Sequence, residues 1–128
     1  MQDSKKSKIF IVQDSVVYKD LIVGYLQSKN YRNLKSFKTA EECLKHIRMK
    51  PDIIILDYSF DGITGLELMR KVKAENPEID FIFLSGQNDV EVAVNIMKMG
   101  AADYIVKNEQ AHKKMVHSIE RLVSLNKN

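Results

Sequence analysis

Four apolar runs in this chain each lead into a residue able to do chemistry. Lys8–Val12 is followed by Gln13 and Asp14, Ile53–Leu56 by Asp57, Phe81–Leu84 by Ser85, and Tyr104–Val106 by Lys107. Two carboxylates can hold a hard divalent cation through oxygen, as magnesium prefers. A hydroxyl and an ammonium can hydrogen-bond and neutralise the oxygens of a phosphoryl group. A carboxylate placed with them can attack phosphorus in line and become an acyl phosphate. Taken singly each residue is weak evidence, since an Asp after a strand is usually a turn residue, a Ser there a cap and a Lys a surface group. Only a fold that brings these strand ends together gives them a joint meaning.

The elements that must do so are legible. Ile53-Ile54-Ile55-Leu56 reads as a strand buried on both faces, as in a parallel sheet. A glycine-bearing loop follows Asp57, and Thr64 with Glu67 three residues on forms a capping box that starts a helix over Thr64–Lys73, with Leu66, Met69 and Val72 inward. The first strand, Lys8–Val12, leads into a helix whose Tyr18, Leu21, Ile22 and Tyr25 share one face. Leu34–Phe37 is a short second strand. Thr39 and Glu42 cap the next helix, which carries Ala40, Cys43, Leu44 and Ile47 on one side and stops at Pro51. Phe81–Leu84 is the fourth strand, and Asn88 or Asp89 caps a fourth helix ending near Gly100. Tyr104–Val106 is the fifth strand. Asn108 to about Leu125 is the last helix, with Met115, Ile119 and Leu122 inward. Strands alternating with helices predict an α/β doubly wound parallel sheet, helices on both faces, in the flavodoxin-like order 2-1-3-4-5. All the candidate residues then meet at the carboxyl edge, where open α/β sheets bind ligands.

Length and composition agree with one domain over residues 8–125, flanked by a frayed tail at 1–7 and a short one at 126–128. The 128 residues are 45% hydrophobic and 29% charged, as expected of a soluble globular chain. A net charge of +3, from 20 basic and 17 acidic residues, is too small to argue for nucleic acid, and the cluster Lys5-Lys6-Lys8 reads as a solvated tail. The single cysteine, Cys43, excludes an internal disulfide and a CxxC metal site, and its helical spacing points to the core. No apolar segment approaches the ~20 residues of a membrane span, and the N-terminus lacks the apolar region of a secretion signal, so a reducing, cytoplasmic setting is the default. His46, His112 and His117 lie on helices away from the edge and read as surface or boundary residues.

The stretches IFIVQDS, DIIILDYSFDGITGLEL, FIFLSGQND and GAADYIVKNE resemble a receiver domain of a two-component response regulator, from about Lys8 to Leu125. The resemblance implies that Asp57 is phosphorylated by a histidine kinase or phosphotransfer protein in a magnesium-dependent reaction. Asp14, Asp57 and the main-chain carbonyl of Ser59 would hold the metal. Ser85 and Lys107 would bind the phosphoryl group, and Tyr104 would be the aromatic switch. Gly65 matches the glycine before the third helix, and Ser59 and Gln87 stand where residues tune hydrolysis. The face of the fourth helix, fifth strand and fifth helix would meet an output domain, a partner protein or a second copy. Such a domain assists its own phosphorylation and dephosphorylation and turns over no separate substrate.

Three positions depart from the family pattern. Gln13 stands where a first acid is usual, which should weaken magnesium binding; it could still reach the metal through water, or donate its amide to Asp14 or Asp57. Asn108 replaces the proline after the lysine, where a cis bond to a non-proline residue costs ~2.5–4 kcal/mol, so a trans bond is expected. Asp61 replaces a loop proline and reads as a solvated carboxylate. Gln13 and Asn108 also favour an alternative, a phosphorylation-independent receiver acting as an interaction module. A small phosphatase with an aspartyl intermediate would need a cap domain and an acid two residues after the nucleophile, where Ser59 stands. There is no GxxxxGK[ST] or GxGxxG motif. Finally, the fourth helix carries two apolar stripes, Val90-Ala93-Val94-Met97 and Val92-Ile96-Met99, where packing on a sheet needs one. Either the core stripe is wide or one stripe is exposed to a partner.

Overall fold

The computed structural model describes residues 6–58 and 64–125. Five parallel strands form one sheet, β1 (Ile9–Val12), β2 (Leu34–Phe37), β3 (Ile53–Asp57), β4 (Asp80–Ser85) and β5 (Asp103–Val106), in the order β2-β1-β3-β4-β5. The helices are α1 (Val16–Ser28), α2 (Ala40–Lys45), α3 (Gly65–Glu75), α4 (Val90–Lys98) and α5 (Ala111–Leu125). The expected doubly wound architecture is therefore the observed one. The expectations for the N-terminal tail before Lys6, the 126–128 tail, Ser59 and Asp61 lie outside the described residues.

Side chains alternate across the pleat, so each strand feeds two cores. Ile9, Ile11, Ile53, Ile55, Ile82, Leu84 and Ile105 face a layer made by α1 and α5. Phe10, Val12, Ile54, Leu56, Phe81 and Phe83 face the layer of α2, α3 and α4. This explains why β1, β3 and most of β4 read as unbroken apolar runs: both of their faces are dry.

Local rules set most helix starts. Ser15 Oγ accepts from the Tyr18 amide, Thr39 Oγ1 from Glu42, and Asp89 Oδ1 from Val92. The Thr64–Glu67 capping box is closed in both directions, Glu67 N donating to Thr64 Oγ1 at 3.1 Å and Thr64 N to Glu67 Oε1 at 3.1 Å. Gly65, the first residue of α3, is buried so tightly that an added Cβ would lie 2.9 Å from the Phe83 ring and 3.1 Å from the Asp57 carbonyl. At the end of α4, Gly100 takes φ +115, the left-handed turn expected of it.

Four expectations need correction. Leu21 is 63% exposed, and the α1 residues facing the core are Ile22 and Leu26, with Tyr18, Val23 and Tyr25 partly covered. The helix is apolar around much of its circumference, so spacing alone could not choose the face. α2 ends at Lys45, well before Pro51; a turn at His46 and a 3-10 turn over Ile47–Met49 intervene, and Lys50 ends it at φ 55. In α3, Leu68 is fully buried and Leu66 only partly. Lys8 is no tail residue: its amide donates to Asp52 Oδ2 and its ammonium to the Met49 carbonyl.

Cys43 is buried, and burial pushes its thiol up to about 12. We expect the folded protein to resist alkylation at mildly alkaline pH and to react stoichiometrically once unfolded in urea; fast labelling of the native chain would contradict this packing. Thr64→Ala should lower stability by about 1 kcal/mol in urea titrations. The amide of Thr64 holds the Glu67 carboxyl below its usual range. That stabilisation is present above the ordinary glutamate pKa and lost as pH falls through the lower folded value, so the stability gap between wild type and Glu67→Gln should close in acid. A gap independent of pH would refute the capping role.

Candidate functional site

Register brings the strand ends together. Val12 pairs with Leu56, Asp57 with Leu84, and Ser85 with Val106. Gln13, Asp57, Ser85 and Lys107 therefore stand one step apart around the same edge, with the Lys107 amide donating to the Ser85 carbonyl at 2.7 Å. Among the described residues the buried polar or charged side chains are Gln13, Asp57, Ser85 and Ser118. Three of these four are the strand-end residues singled out from sequence. The fourth, Ser118 on α5, donates to Asp103 Oδ2 at the opposite end of β5 and serves packing.

Asp57 is 7% exposed, and Lys107 Nζ lies 2.5 Å from its Oδ1. An ionised carboxylate so deep requires a counter-charge, and Lys107 supplies it. The ammonium also sits over the ring of Tyr18, 4.5 Å from the centroid. Sequence reasoning placed Tyr18 only on an apolar helix face and missed this contact; its position one turn into the helix that leaves β1 was the available signal. Burial first, and the nearby Asp57 charge second, raise the Tyr18 hydroxyl above its usual range.

Asp14 is exposed at the mouth of the same edge. Gln13 is turned differently from the expectation of an amide bonded to Asp14 or Asp57. Its Oε1 accepts from the Ser15 amide at 3.0 Å, and its Nε2 has no partner among the described residues. Ser85 Oγ accepts from the Gln87 amide at 3.1 Å, and Tyr104 donates its hydroxyl to the Gln87 carbonyl at 2.8 Å. A hydrogen-bonded chain thus runs from Ser85 through Gln87 to the half-buried Tyr104. Asn108 Oδ1 accepts from the Gln110 amide, and the described chain contains no cis peptide, as expected for Asn108.

Among the described residues no three His, Cys, Asp or Glu side chains converge. Two carboxylates from adjacent strands suit magnesium, which keeps several of its waters, and do not suit a metal needing a complete protein cage. Asp14 and Asp57 fit that pattern. Gln13 contributes no negative charge, and its unpartnered atom is a donor that cannot ligate.

On the far side of Tyr104 lies a cleft of about 600 Å³ lined by Val90, Ala93, Val94, Met97, Ile105 and Lys114. Val90 is 74%, Val94 45% and Met97 43% exposed, while Ile96 is buried. The choice left open by the two stripes of α4 is decided: the Val90-Ala93-Val94-Met97 stripe lies on the open side. Met99, assigned to the other stripe, is exposed as well, because it stands past the last helical turn as its C-cap. His46 and His117 are exposed, and His112 packs edge-on against Tyr25, all away from Asp57.

A buried aspartate, a paired lysine and a hydroxyl at the carboxyl edge of a 2-1-3-4-5 sheet define a receiver-type site. Comparison with known proteins agrees. Residues 9–120 match the response regulator receiver domain family, and the chain belongs to it. It is 32% identical over 120 residues to the nitrogen assimilation regulatory protein NtrX of Azorhizobium caulinodans, covering 91% of this chain and 26% of that protein. It is 29% identical over 105 residues to the chemotaxis protein CheY of Listeria monocytogenes, covering 81% of this chain and 88% of that one. The solved receiver domain of NtrX from Brucella abortus superposes with a TM-score of 0.82 at 28% identity, over 91% of this chain and 98% of that one. The chain thus spans about a quarter of the length of the Azorhizobium relative and most of the Listeria one. Among the described residues no helix is long and apolar enough to cross a membrane.

If Gln13 faces the cation, restoring a carboxylate should strengthen binding. We expect Gln13→Asp to bind magnesium at least about threefold more tightly than wild type in calorimetric titration, one added charge at short range being worth roughly 1 kcal/mol in a wet site. Equal affinities would remove position 13 from the metal environment.

Proposed function

We propose that this receiver domain accepts a phosphoryl group on Asp57 from the phosphohistidine of a histidine kinase or phosphotransfer protein. The observation that carries the reading is a buried carboxylate at the end of the central strand, paired to Lys107 and flanked by a buried hydroxyl. A carboxylate oxygen of Asp57 forms the new bond to phosphorus as the bond from phosphorus to the donor nitrogen breaks, and the departing imidazole takes a proton from solvent. Lys107 balances the charge of the acyl phosphate, and Ser85 donates its hydroxyl to a phosphoryl oxygen. Asp14 and Asp57, with the carbonyl of Ser59, would hold magnesium. When bound, it neutralises phosphoryl charge. The domain assists its own phosphorylation and dephosphorylation and has no separate substrate.

Output follows from the hydrogen-bonded chain. A donation from the Ser85 hydroxyl to a phosphoryl oxygen would draw on the same Oγ that accepts from Gln87, whose carbonyl holds the Tyr104 hydroxyl. Tyr104 lines the α4–β5 cleft, so a change at Asp57 alters the apolar face of α4. An output domain, a partner protein or a second copy would read that face. Phosphorylation then shifts a two-state equilibrium by its differential stabilisation of one form.

The decisive experiment is intact-protein mass after incubation with acetyl phosphate and magnesium. Wild type should gain one phosphoryl group and Asp57→Asn none, with the gain lost on omitting magnesium. No gain in wild type, with magnesium binding also absent, would turn the reading toward a phosphorylation-independent module.

A further inference from the structure

Lys107 carries the positive charge of the site on a long, flexible stem, and its side chain remains 27% exposed. An ammonium of that kind is strongly hydrated and swings readily into water. The ion pair with Asp57 alone does not fix its direction, because a carboxylate attracts a cation over a wide arc. The following residue does not fix it either: the Asn108 carboxamide is engaged with the Gln110 amide at the entry to α5. Among the described residues the other group that meets Lys107 Nζ is the ring of Tyr18, 4.5 Å away at its centroid.

Tyr18 is anchored independently of Lys107. Its amide donates to the Ser15 cap, and its ring packs against the core layer of α1 and α5. It lines the groove between those helices together with Ile22, Leu84 and Met115. Burial and the charge of Asp57 keep its hydroxyl protonated, so the ring face, not a phenolate, is what attracts the ammonium. One side of Nζ therefore faces Asp57 and another is covered by an aromatic plane.

We propose that Tyr18 is a positioning residue: its ring holds the Lys107 ammonium over the Asp57 carboxylate, so that the cation stands ready when a phosphoryl group arrives. The kinetic half rests on Asp57 being the acceptor; the geometric half does not, and the two are tested separately. The geometric test is the ¹H shift of the Lys107 ε-methylene by NMR in the unphosphorylated protein. In wild type and Tyr18→Phe it should lie upfield through the ring current, and in Tyr18→Leu it should return to the ordinary lysine position. The kinetic test is the rate of phosphoryl uptake from acetyl phosphate in the presence of magnesium. Tyr18→Phe should match wild type, and Tyr18→Leu should be slower by about three- to fivefold, the range a partly exposed cation–π contact corresponds to.

Urea midpoints and far-UV circular dichroism establish that both variants fold. A Tyr18→Leu protein that keeps the wild-type rate and shift overturns the proposal. So does Tyr18→Phe failing as badly as Tyr18→Leu, which would assign the effect to the hydroxyl. If wild type takes up no phosphoryl group while the ring-current shift is present and lost in Tyr18→Leu, the acceptor reading fails and the positioning contact stands.

Discussion

The pairing of Asp57 with Lys107 is the constraint on which the site rests. Moving a carboxylate out of water costs several kcal/mol even after the protein relaxes, and removing one member of a buried pair leaves that penalty uncompensated. Asp57 lies at the end of the middle strand, where neighbouring strands and α3 shut out solvent. Its counter-charge comes from β5, two strands away, so β4 must bring Lys107 close without placing bulk between them. It does so by ending on Ser85, a small residue whose carbonyl accepts from the Lys107 amide. Gly65 acts from the other side: without a Cβ it lets α3 start directly against the Asp57 carbonyl and the Phe83 ring. The order of strands, the residue ending β4 and the glycine opening α3 all bear on one ion pair.

Beside the same ion pair begins a hydrogen-bonded chain that leads to the α4 face. Ser85, Gln87 and Tyr104 are joined by hydrogen bonds of 3.1 and 2.8 Å, and Tyr104 borders the cleft beneath Val90, Val94 and Met97. An apolar stripe left open on a helix is unfavourable in water unless something covers it in one of its states. The buried stripe, carried by Ile96 with Val92 partly covered, anchors α4. The open stripe is therefore free to change its surroundings without unfolding the helix. A helix held in this way suits the switching proposed above, because packed cores shift between discrete arrangements more readily than they deform.

Most of the fold could be read from the chain because its rules are local. The apolar runs of β1, β3 and β4, the Thr64–Glu67 capping box and the turn at Gly100 each declare themselves within a few residues. The strand-end residues of the site were legible for the same reason: a polar residue after a buried strand can point only toward the carboxyl edge. What failed was the choice among faces of an apolar helix. Leu21 and Leu26 are chemically alike, and which is covered depends on how α1 lies against α5. The early stop of α2 was hidden because Ile47 keeps the helical spacing while the backbone has already tightened to a 3-10 turn. Tyr18 does pack on the core as its stripe predicts, but its contact with Lys107 was missed, because only its place one turn into the helix leaving β1 hints that a cation from β5 will reach its ring.

Gln13 shows how a single amide changes the balance of the edge. Its buried Nε2 lacks an acceptor among the described residues, a situation that costs about 1–3 kcal/mol unless water supplies one. The side chains of Asp14, Asp57 and Lys107 sum to one negative charge, and a second acid in place of Gln13 would make it two. The smaller charge would weaken the pull on a divalent cation and equally the repulsion of an approaching phosphoryl dianion. The two consequences act in opposite directions on any reaction that needs both partners at once. A weak magnesium site and a competent acceptor are therefore compatible in the same molecule. The test of one does not stand in for the test of the other.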